Sequence, residues 1–366
     1  MKIINVGEPK IIMSNPNSKH NYFGWPTAAR LQNGKIAVVA SGFRLAHICP
    51  FGKAVISYSE DEGETYTAPA PVIDTVLDDR DGGILPFGKS NVMVTSFNNS
   101  VDFQRGINGV SDYSLAYLNT VTPEEEEKAL GATYRISEDY GVTFGEILKS
   151  PVTSPHGPVE LLDGSLLWVG RKHTKTNADE GEIGAIQAYK INLDGTSEYV
   201  GKIEDVEMDG VRPFSCEPHA VVLDDGTILV QFRADCDPHN IFTLFQCESK
   251  DNGKTWTKPK QILSDCGGAP AYLFKHPSGM LISTYSYRGL PHGTGTFGIK
   301  AMFSKDNGKT WDVDNWIYKN EVSCDLGYPS TVFCDDGSLI TIFYAKPADG
   351  EPAVIMQQKW RFEDEI

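Results

Sequence analysis

Arginine is scarce in this chain and unevenly placed. Ten of the 366 residues are arginine, in a protein whose formal net charge is −16. Five of the ten lie at the same end of the strands in a sequence unit that repeats along the chain: Arg80 before a first strand, and Arg44, Arg171, Arg233 and Arg288 after a second strand. Guanidinium groups that converge on one point bind carboxylate, sulfate or phosphate through paired hydrogen bonds. These arginines therefore predict a site for a small anionic ligand.

Side chains able to bind a ligand or transfer protons accompany these arginines. Before the first strand of each unit stand Trp25, Asp78, Asp79, Asp81, His156, Glu217, His219, Asp325 and Tyr328, and after the second strand stand His47, His173, Asp235 and His292. Carboxylates and imidazoles exchange protons near neutral pH. The set therefore predicts acid–base chemistry on a bound ligand.

Each of these residues can also serve a purely structural purpose. Arg80 lies between Asp79 and Asp81 and can form ion pairs with them instead of with a ligand. Glu217 can likewise pair with an arginine. Tyr328 can be a core aromatic residue, and His156 and His219 can form structural hydrogen bonds. Asp325 can cap a turn, and Trp25 can pack in the core instead of serving as a platform for a sugar.

The repeated unit consists of an entry segment, an apolar run, a turn that ends in glycine, and a second apolar run. Its turn glycines are Gly34, Gly88, Gly164, Gly226, Gly279 and Gly337. The first and last are 303 residues apart over five steps, a mean of about 61. That length suits a four-stranded propeller blade. The sequence therefore predicts an all-β protein, a single six-bladed β-propeller over residues 1–366, with four-stranded antiparallel blades.

A second repeat has the pattern S-x-D-x-G-x-T followed by an aromatic residue. Its copies are Ser59–Tyr66, Ser137–Phe144, Ser249–Trp256 and Ser304–Trp311. The aspartate carboxylate can accept backbone N–H groups, and the glycine permits positive φ, so each copy predicts a hairpin turn. Blade three is predicted to use residues 192–195 for its outer turn instead.

Two further segments complete the predicted architecture. An insertion at about residues 98–133 of blade two contains Thr122, Pro123, four glutamates and Gly131, which together predict a short helix. The apolar run 10–13 is expected to add a strand to the last blade and close the ring. In antiparallel blades the glycine turns and the S-x-D-x-G-x-T turns share one face. The candidate residues therefore gather on the opposite face, around one mouth.

The composition of the chain limits the classes of binding partner and cofactor that it can be expected to have. The charge of −16 argues against nucleic acid and anionic membranes. Seven cysteines without a C-x-x-C pair predict neither a disulfide framework nor a zinc site, and no metal or organic cofactor is predicted. The first residues lack an apolar signal segment, so a cytoplasmic location is expected, with a processed secreted form as the second possibility.

The turns and the mouth residues together resemble the sialidase (neuraminidase) superfamily, whose Asp-box or BNR repeat has the S-x-D-x-G-x-T-W pattern. The resemblance implies that the boxes are structural. Glu217-Pro218-His219 leading to Arg233 looks like the family segment in which a glutamate precedes the second arginine of a carboxylate-binding triad. Arg288 is similar to the third arginine, and Tyr328 before Pro329 is similar to the family's nucleophile. By this resemblance Glu217 is the base that activates Tyr328.

The sequence departs from the family at two places. The entry that should carry the first arginine reads Phe23-Gly24-Trp25-Pro26, and Arg44 is the expected partial substitute. The segment 44–50, where the family has an acid/base aspartate, contains none. His47 is the expected replacement. The alternative is a carboxylate of blade two, Asp78, Asp79 or Asp81, with Asp79 taken as the candidate catalytic residue.

Three functions follow as hypotheses. The first is a retaining exo-glycosidase that releases an anionic terminal sugar, with sialic acid as the leading candidate. The second is a lyase or hydrolase for uronate-containing saccharides, favoured by the histidines and by the missing arginine. The third is a propeller that binds carbohydrate without catalysis. All three predict a small anionic saccharide as the partner.

Overall fold

Six antiparallel sheets follow one another along the chain, as the spacing of the turn glycines predicts. The computed structural model describes residues 1–172, 182, 184–264 and 267–364, so His173 lies outside the described residues. Two N-terminal strands, β1 (Lys2–Asn5) and β2 (Lys10–Met13), precede the first blade. Blade one contains β3 (Tyr22–Arg30), β4 (Ile36–Arg44), β5 (Lys53–Ser59) and β6 (Ala70–Ile73).

The next four blades repeat this order from the innermost strand outward. Blade two has β7 (Arg80–Phe87), β8 (Asn91–Asn98), β9 (Gly131–Ser137) and β10 (Leu148–Ser150). Blade three has β11 (Val159–Glu160), β12 (Leu166–Arg171), β13 (Ile186–Ile191) and β14 (Ser197–Lys202). Blade four has β15 (Phe214–Val222), β16 (Ile228–Cys236), β17 (Ile241–Ser249) and β18 (Lys260–Gln261). Blade five has β19 (Gly268–Lys275), β20 (Leu281–Tyr287), β21 (Phe297–Ser304) and β22 (Asp312–Asn320).

The last blade closes the ring with both ends of the chain. It contains β23 (Gly327–Phe333), β24 (Leu339–Ala345) and β25 (Val354–Glu363), and both N-terminal strands pair with β25. Lys10 pairs with Gln357 and Lys2 with Glu363. The predicted closing strand is confirmed, and β1 extends it. This closure covers an edge that would otherwise be open to another strand.

The middle strands are buried on both faces, because each blade packs between two others. Every residue of β21 and β24 is buried. These strands therefore lack the polar alternation of a sheet that has one solvent face, and polar residues within them, such as Lys300, Ser304 and Thr341, are buried with the rest.

The four S-x-D-x-G-x-T copies form turns between the third and fourth strands of their blades. In the first copy Asp61 accepts hydrogen bonds from the backbone N–H and the hydroxyl of Thr65, at 2.8 and 2.5 Å. The final aromatic residue reaches the preceding blade: Trp311 donates its indole N–H to Gln246 at 2.9 Å. These turns therefore join neighbouring blades on the face opposite the mouth.

The insertion between β8 and β9 is helical. It contains α1 (Val101–Arg105), α2 (Asp112–Leu118) and α3 (Pro123–Ala129). The sequence predicted α3 from its Thr122 cap, which forms a reciprocal capping box with Glu125. It did not predict α1 and α2, because five and seven residues give too few turns for a clear apolar period. A short 3-10 turn, Asp237–His239, follows β16. Within the described ranges, no helix has the length and apolar character needed to cross a membrane.

Candidate functional site

Backbone irregularities near the start of the inner strands aim side chains at the mouth. The pairing register shifts in five inner strands, between Gly24 and Thr27, Arg80 and Gly83, Cys216 and His219, Gly268 and Ala271, and Gly327 and Ser330. Four residues within these shifts have positive φ, namely Trp25 (52°), Asp81 (48°), Glu217 (53°) and Tyr328 (51°). A bulge redirects the side chain that it carries, and positive φ in a residue other than glycine is strained. Four blades therefore each hold, at equivalent positions, one residue whose backbone is strained and whose side chain is redirected.

Tyr328 and Glu217 are brought into direct contact. The phenol of Tyr328 donates a hydrogen bond to Oε1 of Glu217. Arg233 donates to both carboxylate oxygens of Glu217, at 3.2 and 3.1 Å, and its Nε lies 2.6 Å from a carboxylate oxygen of Asp235. Tyr328 comes from blade six, and the residues around it come from blade four. The sequence named all of them, and the fold assembles them into one hydrogen-bonded chain.

The protonation states in this chain follow from burial and charge. Burial, followed by the Glu217 carboxylate, raises the pKa of Tyr328 well above its usual value, so the phenol stays neutral. Burial, the largest single influence, lowers the pKa of Arg233, but Glu217 together with smaller contributions from its other neighbours, including Asp235, raises that pKa well above its usual value. A neutral phenol that donates to a carboxylate has a proton acceptor already in place.

Arg288 completes the cationic side of this cluster. Its Nε donates to the carbonyl of Leu326 at 3.2 Å, and its guanidinium carbon lies 5.9 Å from the centre of the Tyr328 ring. Phe242 packs between the two arginines, 4.8 Å from Arg233 and 5.5 Å from Arg288. The arginines predicted to bind an anion thus flank the tyrosine. Unlike Arg233, Arg288 has no carboxylate partner among the described residues.

His47 and Asp325 form a second polar pair. Nδ1 of His47 lies 3.3 Å from Asp325, which also accepts hydrogen bonds from the phenols of Tyr22 at 3.0 Å and Tyr344 at 3.1 Å. Burial opposes ionisation of Asp325, but the hydrogen bond with His47 and the other donors lower its pKa to about 2. Burial lowers the pKa of His47. The side chain of His47 is 52% exposed, so a carboxylate orients an imidazole that remains open to solvent.

Trp25 links the two pairs but is not an open platform. Its ring centre lies 4.8 Å from that of His47 and 6.5 Å from that of Tyr328. The guanidinium of Arg80 lies 4.0 Å from the Trp25 ring, and only 1% of Trp25 is exposed. Trp25 therefore supports the groups around it.

Arg44 does not face the mouth. It is fully buried, and it pairs with the equally buried Asp78 at 2.6 Å while donating to the carbonyl of His47 at 2.9 Å. Arg80 donates to the same carbonyl at 2.6 Å and is 6% exposed. In this arrangement the two arginines hold the His47 loop in place, and neither presents an open guanidinium to a ligand.

Two carboxyl groups of blade two, Asp79 and Asp81, lie in different surroundings: the first in the interior and the second at the mouth. Asp79 is fully buried and accepts from the backbone N–H and hydroxyl of Thr75, at 2.6 and 3.0 Å, so the structure does not bring it to Tyr328. Asp81, two residues on, lines a cavity of about 130 Å³ together with Glu217. Burial raises the pKa of Asp81 to about 7, against the opposing charge of Arg80. Asp81 is therefore the carboxyl group from this blade that can exchange a proton at the mouth.

His156 and His219 lie in the central channel. Their ring centres are 5.2 Å apart, and His219 stacks on Tyr272 at 4.3 Å. His156 contacts the hydroxyl of Thr27 at 2.8 Å, and His219 accepts the backbone N–H of Leu273 at 2.8 Å. They line a separate cavity of about 460 Å³ whose lining does not include Tyr328, Glu217 or Arg233. This placement agrees with structural hydrogen bonding by both histidines.

Sequence reasoning missed several residues of the mouth. Tyr22 and Tyr344, which hold Asp325, were not predicted. Phe242 was not predicted either, nor was Phe214, whose ring centre lies 4.0 Å from the guanidinium carbon of Arg171. A signal for Tyr344 was present, because it lies one residue before the end of the second strand of blade six, close to where Arg44 and Arg233 lie in theirs. The phenylalanines gave no signal that distinguished them from core residues. In the part of the chain that the structure describes, no cluster of three or more metal-ligating side chains occurs.

Solved structures of low sequence identity share this architecture. A protein of unknown function from Dyadobacter fermentans superposes with a TM-score of 0.73 at 17% identity, over 99% of both chains. The NanB sialidase of Streptococcus pneumoniae gives 0.66 at 14% identity, over 97% of this chain and 71% of the sialidase. An intramolecular trans-sialidase from Ruminococcus gnavus gives 0.61 at 13% identity, over 97% of both. At these identities the likeness establishes a shared fold.

Comparison of the amino-acid sequence with protein-family models identifies the family of the chain. No curated protein matches the chain. Residues 122–342, more than half of the chain, match the family described as the BNR repeat-like domain. That match agrees with the six blades, with the repeated turns and with the sialidase-like propeller that the sequence predicted. The chain is a member of the BNR repeat-like domain family.

Proposed function

We propose that this protein is a retaining glycoside hydrolase that releases a terminal anionic sugar, with Tyr328 as its nucleophile. The observation that carries the proposal is the hydrogen bond from the Tyr328 phenol to Glu217, backed by Arg233. A carboxylate in contact with a neutral phenol accepts its proton as the oxygen attacks. The fold shared with sialidases is consistent with a saccharide ligand.

The proposed reaction has two steps. In the first, the Tyr328 oxygen bonds to the anomeric carbon, its proton passes to Glu217, and protonated His47 gives a proton to the departing oxygen. In the second, His47 takes a proton from water, the water oxygen replaces Tyr328 on the sugar, and Glu217 returns the proton to the phenolate. The sum is hydrolysis with retained configuration. Asp81 is the second candidate for proton donor, because its carboxyl group stays protonated up to a pKa of about 7.

The substrate's negative charge is assigned to Arg288 together with Arg233. Arg288 contacts a backbone carbonyl and no acidic side chain among the described residues, which leaves guanidinium donors for a carboxylate. A tyrosine nucleophile suits such a substrate, because a neutral phenol does not repel an anionic sugar. Sialic acid is the leading candidate for that sugar.

The experiment compares hydrolysis of 4-methylumbelliferyl α-sialoside by the wild type, Tyr328→Phe and Tyr134→Phe. Tyr134 is a matched control: it is buried in the third strand of blade two, and its phenol donates to the carbonyl of Asn192 at 3.4 Å, far from the mouth cluster of Tyr328 and Glu217. We expect turnover by the wild type and Tyr134→Phe and its loss in Tyr328→Phe. Equal turnover in all three would exclude Tyr328 as the nucleophile.

A second candidate, elimination on a uronate-containing saccharide, is favoured by Trp25. This residue occupies the entry where the sialidase superfamily carries an arginine, while His47 remains half exposed beside Tyr22 and Asp325. A base would remove the proton next to the carboxylate, the C–O bond would break, and an unsaturated sugar would form. Near-ultraviolet absorbance from uronate oligosaccharides, with no cleavage of the sialoside, would favour this reaction.

A further inference from the structure

The central channel opens on the face that carries the glycine turns. Its cavity of about 460 Å³ is lined by residues from all six inner strands. Arg30 and Lys275, the last residues of β3 and β19, lie at its rim together with Asp335 of the last glycine turn. His156 and His219 lie at its inner end. The cavity is therefore distinct from the mouth, which lies on the opposite face.

The wall of this channel cavity is apolar, and the charges at its rim are already bound to protein groups. The wall includes Ile84, Val221, Leu273 and Val332.

At the rim, Arg30 lies 2.9 Å from Asp335, and Lys275 lies 2.6 Å from Asp224. The Glu160 carboxylate accepts the backbone N–H of Gly88 at 3.1 Å. A charged ligand would therefore lose its water to an apolar wall, which is costly. The cavity suits a neutral molecule.

The imidazole of His156 carries an acceptor that no described protein group fills. Its Nδ1 contacts the hydroxyl of Thr27 at 2.8 Å, and that hydroxyl donates its single proton to the carbonyl of Pro155 at 3.1 Å. Nδ1 of His156 is therefore the donor in their contact, which leaves Nε2 unprotonated. His156 is 2% exposed, and its Nε2 has no hydrogen-bond partner among the described residues. A buried acceptor without a donor costs free energy, and a bound ligand would remove that cost.

His219 presents the complementary group. Its Nδ1 accepts the backbone N–H of Leu273 at 2.8 Å, so the neutral imidazole carries its proton on Nε2. In the part of the chain that the structure describes, this second N–H has no acceptor. The two imidazole centres are 5.2 Å apart. A donor and an acceptor therefore stand side by side at the inner end of an apolar cavity.

The same hydrogen bonds argue against a metal ion at this position. A metal ligand must present an unprotonated nitrogen, and both nitrogens of His219 are occupied, one by the Leu273 N–H and the other by its own proton. The described residues also contain no cluster of three metal-ligating side chains. The ligand must instead form hydrogen bonds.

We propose that the channel cavity binds a small neutral alcohol, with its hydroxyl at His156 and His219 and its apolar part against the wall. A hydroxyl can accept the N–H of His219 and donate to Nε2 of His156. A cavity of about 460 Å³ has the size of a small-molecule site. The inference goes beyond the proposed glycosidase function and does not depend on it, because the lining includes neither Tyr328 nor Glu217.

Fluorine NMR titrations with three ligands of similar size test the proposal. The ligands are 4-fluorobenzyl alcohol, 4-fluorotoluene, which lacks the hydroxyl, and 4-fluorobenzoate, which is an anion. We expect the alcohol to bind the wild type roughly 3–10-fold more tightly than the toluene, the range expected for the net gain from a buried hydrogen bond. We expect the benzoate not to displace the alcohol, since the cavity offers no free cation among the described residues.

A substitution that fills the cavity locates the binding. Val222, the last residue of β15, lines the cavity, so Val222→Trp places a large ring in it. Val313→Trp is the matched control, because Val313 is 41% exposed on β22, the outermost strand of blade five. We expect Val222→Trp to lose the alcohol and Val313→Trp to bind it as the wild type does.

Several outcomes would overturn the proposal. If the wild type binds neither the alcohol nor the toluene, the channel holds only water. Equal or tighter binding of the toluene would show that the two histidines do not select a hydroxyl. Alcohol binding that survives in folded Val222→Trp, or that the benzoate displaces, would place the alcohol elsewhere. The ligand comparison needs only the wild type, so it decides the proposal even if Val222→Trp does not fold. No cleavage is measured, so a failure of the proposed glycosidase function leaves this result unchanged.

Discussion

At the scale of single residues, the mouth depends on backbone conformations that most residues avoid. Glu217 and Tyr328 both have φ near +50°, and each costs about 1 kcal/mol or more relative to an ordinary conformation. Flanking strand pairs hold both residues there. The strain turns a carboxylate from blade four and a phenol from blade six toward each other, which the relaxed strand geometry would not do.

His47 provides a pH prediction at this scale. Burial holds its pKa below the usual 6.5, so the protonated form that donates a proton is lost as pH rises through that lowered value. We expect turnover of a saccharide substrate to be highest in mildly acid solution. We expect His47→Ala to reduce it by about 10²–10⁴-fold, and to affect an aryl glycoside far less, because a phenolate leaves without a proton.

The measurement is kcat against pH for both substrates. Asp81→Asn is the comparison variant, since Asp81 is the other mouth residue able to donate a proton. If His47→Ala keeps the acid optimum and Asp81→Asn abolishes it, the proton donor is Asp81, and the role assigned to His47 is wrong.

At the scale of elements, the repeated turns set the spacing between blades. The turn glycine of the last copy, Gly308, has φ +82°, and a Cβ there would lie 2.7 Å from Cδ2 of Leu229 in blade four. Two features therefore require glycine at this position: its positive φ angle and the close approach of the neighbouring blade four. This explains why the pattern keeps its glycine while the other intervening residues vary between copies.

Gly308→Ala tests the second requirement. Gly210→Ala is the matched control, because Gly210 also has positive φ, at +78°, but no atom would lie within 4 Å of its Cβ. Both variants bear the backbone strain, and only Gly308→Ala adds a clash with the next blade. We expect it to lower the free energy of unfolding by about 1–3 kcal/mol more than Gly210→Ala. Equal losses in urea denaturation would show that blade four relaxes without cost.

At the scale of the whole molecule, six inner strands surround a channel that contains two buried, neutral histidines, His156 and His219. Burial lowers the pKa of His219 to about 3 and that of His156 well below its usual value. The unfolded chain binds protons at these histidines near pH 6.5, whereas the folded protein does not. The stability that they contribute is therefore fully present above pH 6.5 and is lost as pH falls from there toward about 3.

His219→Gln should weaken this acid sensitivity, because the amide can still accept the N–H of Leu273 but does not titrate. We expect the slope of unfolding free energy against pH between about 6 and 4 to fall by up to about 1.4 kcal/mol per pH unit. The exposed His239→Gln is the control and should leave the slope unchanged. Chemical denaturation at several pH values measures it, and identical slopes in all three proteins would contradict a neutral buried His219.

Much of the fold could be predicted from the sequence because its signals are local and repeated. Turn glycines, apolar runs and the S-x-D-x-G-x-T pattern each act within about ten residues. Six copies of the glycine turn and four of the S-x-D-x-G-x-T turn reinforce one another. The helix α3 was predictable for the same reason, since its cap and proline are adjacent in sequence. The helices α1 and α2 were not, because such short segments are stabilised by contacts such as that of Tyr113 with Phe51, 62 residues away.

The sequence by itself determined which residue types reach the mouth face, because strand parity and the repeat decide on which face each loop emerges. Only the tertiary structure decided which of them meet. It joined Tyr328 to Glu217 across 111 positions, buried Arg44 against Asp78, placed Asp81 rather than Asp79 beside the cavity, and drew His156 and His219 into the channel. The reason is that a bulge of one residue changes where a side chain points. Such bulges depend on packing between blades, and that packing leaves no periodic trace in the sequence.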